Sequence, residues 1–227
     1  MLLDAIQPEP ITAATVPRAT VLFADLRGYT GMAEKLAPLH LATLLDEFFG
    51  ALTVVAELHG GRVYHTAGDS LMAGFGLSDP NNDGTEAALA TGRAMLVTFA
   101  RLAERWRHTD QVEAGLGIGL HLGEVALARF GPPERRIETL VGDTANVAAR
   151  LCSRARAGEV LFSCSVATSV QRRALNSGLI GSEGRAFLQL PRFEMRGRRE
   201  PLDIWCIPAG ERESLPGFEL AGADRWQ

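Results

Sequence analysis

Only three cysteines occur in 227 residues, Cys152, Cys164 and Cys206, and no two of them form a Cys-x-x-Cys pair. That spacing excludes a disulfide framework and a zinc site, and it suits buried or free thiols in a reducing compartment. Long apolar runs are also missing. The candidate around Phe48-Phe49 is broken by Asp46, Glu47 and Glu57, so no membrane-spanning segment is expected. The first residues carry Asp4 and Glu9 but no early cation, unlike a secretory signal. Cytoplasmic localisation is the expectation. Lys and Arg number 23 against 27 Asp and Glu, a net charge of -4. A general nucleic-acid binder needs clustered cations, so no nucleic-acid partner is expected. Arginine is dense only between Arg192 and Arg199, where a solvated hairpin explains it as well as a binding patch does. No internal repeat is visible.

What is present is ordinary globular material, 46% apolar and 22% charged, enough for one domain with a sizeable core. Residues 1–17, with Pro8, Pro10 and Pro17, read as an N-terminal linker or arm. Residues 18–208 read as the folded domain. Residues 209–227 mix charge, Gly and Pro and read as a disordered tail. A buried strand is expected at 19–25 and a helix at 38–58, where Leu41, Leu44, Leu45, Phe48, Phe49, Leu52 and Val55 recur at helical spacing before Gly60-Gly61. A hairpin over 62–75 follows, then a helix from 85 to about 106 and strands at 112–122 and 124–130. The pattern closes with a helix from Thr144, a strand at 159–163, a short helix at 165–174 and a hairpin over 187–207. This order predicts an α+β fold: a ferredoxin-like βαββαβ core with one mixed sheet and helices on one face.

Two stretches place an aspartate at a strand end beneath apolar residues: Val21-Leu22-Phe23-Ala24-Asp25-Leu26-Arg27-Gly28-Tyr29-Thr30 and Gly68-Asp69-Ser70-Leu71-Met72-Ala73-Gly74-Phe75. Taken singly, Asp25 could cap the next turn, and turn chemistry could explain Asp69. Together, on adjacent strands, they offer the hard oxygen ligands of a two-metal phosphoryl-transfer site. A third stretch, Thr139-Leu140-Val141-Gly142-Asp143-Thr144-Ala145-Asn146-Val147-Ala148-Ala149-Arg150-Leu151, puts Asn146 and Arg150 one helical turn apart, away from Val147 and Leu151. A solvent-facing helix edge, with Asp143 or Thr144 as its cap, would also account for that pair.

These three strings, with Gly119-Leu120-His121-Leu122-Gly123-Glu124-Val125 and Arg196-Gly197-Arg198-Arg199-Glu200-Pro201, resemble the catalytic domain of the class III adenylate and guanylate cyclases. The resemblance spans roughly residues 18–207 and implies that domain's elaboration of the ferredoxin-like order. It implies conversion of a nucleoside triphosphate to a 3′,5′-cyclic nucleotide and pyrophosphate. Two Mg2+ or Mn2+ ions per site would be held by Asp25, Asp69 and the backbone carbonyl of Leu26. Asn146 would orient the ribose, Arg150 would stabilise the α-phosphate, and Arg196 would contact the outer phosphates. The family's sites lie across a two-fold homodimer, Asp25 and Asp69 of one subunit facing His65, Thr139, Asn146 and Arg150 of the other.

His65 and Thr139 occupy the base-recognition positions. Adenylate cyclases of this kind often have lysine at the first, and guanylate cyclases have glutamate. Thr139 favours ATP, while His65 leaves the base open or touches no base at all. The expectation is an adenylate cyclase, with guanylate or dual-specificity cyclase as the alternative and a non-catalytic nucleotide-binding module behind them. A diguanylate cyclase is disfavoured by the absence of a Gly-Gly-Asp/Glu-Glu-Phe turn. A regulatory domain or partner is not visible in the chain.

Overall fold

The computed structural model describes residues 16–79, 81–176, 187–195, 197 and 200–208. The expected arm (but for Val16 and Pro17), the expected tail and Arg196 lie outside the described residues.

Seven strands form one mixed sheet in the order β2-β3-β1-β4-β7-β9-β8. They are β1 (Arg18–Arg27), β2 (Arg62–Ala67), β3 (Ser70–Phe75), β4 (Gly115–Glu124), β7 (Glu159–Ser163), β8 (Leu188–Phe193) and β9 (Leu202–Ile207). β1 lies antiparallel between β3 and β4, and β4 runs parallel to β7. The helices are α1 (Tyr29–Lys35), α2 (Pro38–Leu58), α3 (Thr85–Thr109), α4 (Asp143–Arg154) and α5 (Cys164–Asn176). Two further strands, β5 (Ala126–Phe130) and β6 (Ile137–Val141), pair only with each other as an antiparallel ribbon. The βαββαβ core is thus β1-α2-β2-β3-α3-β4, as expected from the sequence.

Strand alternation decides which helix meets which face. Leu22, Ala24 and Leu26 of β1, with Leu116, Ile118, Leu120 and Leu122 of β4, form one continuous cluster with α2, α3 and α5. Its centre is an aromatic chain, Phe48 to Phe99 to Trp106, with ring centroids 5.7 and 5.8 Å apart in edge-on geometry. α2 begins with Pro at its first position, where the missing N–H costs nothing, and ends as Gly61 N–H donates to the Ala56 carbonyl. It is long and apolar enough to cross a membrane by length and composition. Its Phe48 and Leu52 are nevertheless fully buried against the sheet and α3.

One-face layering holds for the two helices of the βαββαβ core and for α5, but α4 lies on the opposite face. There its Ala145 and Ala148 pack on Ala19, Val21 and Met72, and its Val147 and Leu151 pack on Leu161. β4 admits it through Gly119, where a Cβ would stand 2.1 Å from the Cys152 nitrogen and 2.3 Å from the Ala148 oxygen. Other boundaries also differ from expectation. β4 starts at 115 rather than 112, because Gln111 takes a positive φ of 54° and leaves Val112 buried but outside the ladder. It also runs on through Gly123-Glu124, and β9 occupies only 202–207. Strand β6 and helix α1 have no counterpart among the expected elements.

Candidate active site

On β1, residues two apart share a face, so Val21, Phe23, Asp25 and Arg27 all look toward the α4 side of the sheet. Asp25 pairs in register with Ser70, and the Leu26 N–H donates to the Asp69 carbonyl at 3.0 Å. The end of β1 and the Gly68-Asp69 turn are therefore stitched together. Gly68 takes the positive φ of 61° that the turn requires.

Burial pushes the Asp25 carboxyl above the usual carboxylate range. Arg27 opposes the shift, and the neighbouring Asp69 charge adds to it. Two carboxylates close enough to feel each other, beside a backbone amide plane, form an all-oxygen donor set suited to hard divalent cations. Among the described residues no group of three or more His, Cys, Asp or Glu converges on a point. The aspartate pair itself suits a hard divalent cation such as Mg2+ or Mn2+.

Arg27 is a site residue that the motifs alone do not single out, although the Asp25-x-Arg27 spacing on a strand puts both on one face. Its guanidinium pairs with Asp25, and it donates to the Cys152 carbonyl and, through Nε at 3.0 Å, to the Ala155 carbonyl. It thereby ties the carboxylate site to the last turn of α4. Gly117 leaves it room, since a Cβ there would stand 2.4 Å from Arg27 Nη2. Beside it the Cys152 thiol donates to the Gly117 carbonyl at 3.3 Å, and burial pushes that thiol up to about 12. It is a packing group, not a nucleophile.

The second group of residues comes from α4, β2 and the ribbon. Val147 and Leu151 are fully buried, while Asn146 and Arg150 are exposed on the other side of the helix. The N-cap position of α4 falls on neither Asp143 nor Thr144. Gly142 is the cap residue, and Thr144 donates to the Glu124 carbonyl at 2.6 Å, anchoring the helix start to β4. A concavity of about 350 Å3 is lined by Phe23, His65, Met72, Thr139, Asn146 and Ala149, among others. Three residues from three separate elements, His65, Thr139 and Asn146, thus meet around one space. Asp25, Asp69 and Arg150 do not line it. A second concavity, about 440 Å3 beside Gly123, is lined by motif residues such as His121, Glu124 and Asp143 but by none of the expected metal, base, ribose or phosphate residues.

A family model described as the adenylate and guanylate cyclase catalytic domain matches residues 11–207. The chain belongs to this family. The cyclase domain is 31% identical over 149 residues to an adenylate cyclase of Anabaena cylindrica, covering 65% of this chain and 29% of that protein. It is 28% identical over 212 residues to human atrial natriuretic peptide receptor 2, covering 92% of this chain and 19% of the receptor. The chain therefore spans under a third of the length of these curated relatives. Among solved structures, the adenylyl cyclase CyaB from P. aeruginosa superposes with a TM-score of 0.77 at 24% identity, covering 89% of this chain and 98% of that one. The guanylyl cyclase Cya2 gives 0.72 at 24% identity, with 88% and 98% covered. At that identity the likeness shows the class III cyclase fold, shared by enzymes named for either nucleotide.

Proposed function

We propose that this cyclase domain is an adenylate cyclase, making 3′,5′-cyclic AMP and pyrophosphate from ATP at sites shared across a homodimer in the cytoplasm. The observation that carries the reading is the separation of the site residues into two groups. One is an oxygen-donor pair, Asp25 and Asp69, at the end of β1. The other is the His65, Thr139 and Asn146 cavity, which contains no carboxylate ligand of its own. Each group is chemically incomplete alone. A two-fold pairing that faces one group toward its counterpart completes two equivalent sites.

Asp25 and Asp69, with the Leu26 carbonyl, would hold two divalent cations. When bound, these supply a lowered pKa at the ribose 3′-hydroxyl and neutralise charge on the triphosphate and its leaving group. Asn146 orients the ribose. Arg150 brings a permanently charged, planar guanidinium to the α-phosphate, where charge grows as the 3′-oxygen attacks and pyrophosphate departs. His65 and Thr139 read the base, and Arg196 contacts the outer phosphates. Thr139 favours ATP. The guanylate or dual-specificity reading keeps its place because a neutral imidazole both donates and accepts hydrogen bonds.

The test is cyclic nucleotide release by the purified protein with ATP or GTP and Mg2+ or Mn2+, followed by subunit mixing. Asp25→Asn and Asn146→Ala, each nearly inactive alone, should recover activity together, up to about half per heterodimer, because one site then carries both defects and the other carries neither. No cyclic nucleotide from either substrate would leave the non-catalytic binding module. No recovery after verified subunit exchange would place the site within one subunit.

A further inference from the structure

We propose that Glu138, held by Arg62, is a positioning residue that sets the gap across which His65 and Thr139 face the purine, and so sets base selectivity. The proposal rests on the base-reading role given above to those two residues.

Thr139 sits on the β5–β6 ribbon, which shares no ladder with the main sheet that carries His65. Whatever docks the ribbon therefore fixes the distance between the two residues. Both chain neighbours of Thr139 perform that docking. Leu140, 4% exposed, rests over Gly74 of β3, where a Cβ would stand 2.6 Å from Leu140 Cδ1. Glu138 forms ion pairs with Arg62 of β2 and with its cross-strand partner Arg129, whose Nε donates at 2.8 Å. The Glu138 side chain is only 17% exposed, although both arginines are largely in solvent. The Arg129 pair stays within the ribbon, so among these ion pairs only Arg62–Glu138 joins ribbon to sheet.

The β2 end of this clamp also packs on the side chain of the residue just before His65. The β2–β3 register shifts between Val63 and His65, and such irregularities re-aim the side chains beside them. Tyr64 occupies the shift, and the Arg62 guanidinium lies 5.1 Å from its ring centroid. Arg62 therefore packs on the irregularity that precedes His65 and pairs with the residue that precedes Thr139. Hydrogen bonds to a base weaken steeply with misplacement, so a loosened clamp costs recognition while leaving the metal aspartates untouched.

The experiment measures kcat and KM for ATP and GTP in Glu138→Gln, Arg62→Gln and the double variant, with His65→Lys in the same assay. Arg62 is 64% exposed, so its variant folds whether or not Glu138→Gln does, and melting temperatures check both. Each single variant is expected to raise KM for the preferred nucleotide roughly three- to tenfold and to shrink the ATP:GTP ratio of kcat/KM, with kcat changed less than about twofold. The double variant should lose less than the sum of the two single losses, because the Arg62–Glu138 pair is already gone in each of them. An unchanged ratio in Arg62→Gln, or additive losses in the double variant, overturns the clamp. His65→Lys separates the two ideas. If it moves the ratio while Arg62→Gln does not, base reading stands and only the clamp falls. If neither moves it, base reading falls as well.

Discussion

The two faces of this sheet are built from alternate residues of the same strands, yet they differ in almost every respect. Toward α2 and α3, β4 presents Leu116, Ile118, Leu120 and Leu122, and β1 presents Leu22, Ala24 and Leu26, all buried. Toward α4, β4 presents Gly115, Gly117, Gly119, His121 and Gly123, and β1 ends in Asp25 and Arg27. One face is large apolar side chains against long helices. The other is a glycine floor on which a short helix lies close, with charge at its edge. The strand period of two therefore lets one set of strands supply the core on one side and the candidate site on the other.

The widest separation of the faces is expected from paired substitutions. Asp25→Asn keeps the side-chain size but removes a hard anionic ligand. Turnover should fall at least a hundredfold, about 3 kcal/mol of transition-state stabilisation at roughly 1.4 kcal/mol per tenfold. Its stability should hold or rise. The folded-state pKa of Asp25 lies above its unfolded value, so the ionised carboxylate opposes folding at pH values above the unfolded pKa, and that cost disappears with the charge. Phe48→Ala, on the other face, removes a fully buried ring and should cost about 3–5 kcal/mol of stability. Below the melting point the remaining folded protein should keep its ATP:GTP ratio. Melting curves and turnover on both variants check the contrast, and a destabilised, active Asp25→Asn would reverse it.

The glycine floor gives a smaller effect. In Gly119→Ala the added methyl meets backbone atoms of α4 at 2.1 and 2.3 Å, so the helix carrying Asn146 and Arg150 must lift. A loss of about 1–3 kcal/mol in stability is expected from such overpacking. Turnover should fall by roughly ten- to a hundredfold from misplacement of the two side chains. Gly50 in α2 is the control. Nothing lies within 4 Å of a Cβ there, and Ala should stabilise that exposed helix position by about 0.5–1 kcal/mol. Denaturant melts and initial rates on both variants decide whether the two glycines differ as the faces do.

Much of this contrast is legible in the amino-acid sequence. The periodicity of α2 and α3, the hairpin after α2 and the buried side of α4 are strong local patterns, and each forms where expected. Asp25 with Asp69, and His65 with Thr139 and Asn146, gather into two groups that no single stretch of sequence reveals, since each group comes together only through folding. Other features leave weaker signals. α1 is seven residues with a glycine inside, too short for a period to register. β6 exposes Ile137 and Val141 and has one partner strand, so it lacks the clean alternation of a half-buried strand. The placement of α4 is legible in principle. Glycine at 115, 117, 119 and 123 marks a face that something approaches closely, and Asp25-x-Arg27 marks a pair on that same face. Both are period-two signals that an emphasis on motifs passes over.

The finest distinction lies inside the cavity itself, between His65 and Thr139. Adenine presents an acceptor at N1 and a donor at its 6-amino group, whereas guanine presents a donor at N1 and an acceptor at O6. Lysine can only donate, and ionised glutamate can only accept, so either would commit the cavity to one purine. Neutral histidine offers one donor and one acceptor nitrogen, and a threonine hydroxyl serves in either role. A site that leaves no buried group unpaired with the wrong base rejects that base weakly. His65 is exposed at the cavity rim, which softens the penalty further. ATP is therefore expected to be preferred, with GTP turned over at a measurable rate. His65→Lys should raise the ATP:GTP ratio of kcat/KM by roughly ten-fold, the value of one charge-assisted hydrogen bond that guanine cannot accept in the same place. The ratio is measured in both proteins under one metal and one salt concentration. An unchanged value would mean that His65 is a hairpin residue that never meets the base, and selectivity would then rest on Thr139 and the cavity walls.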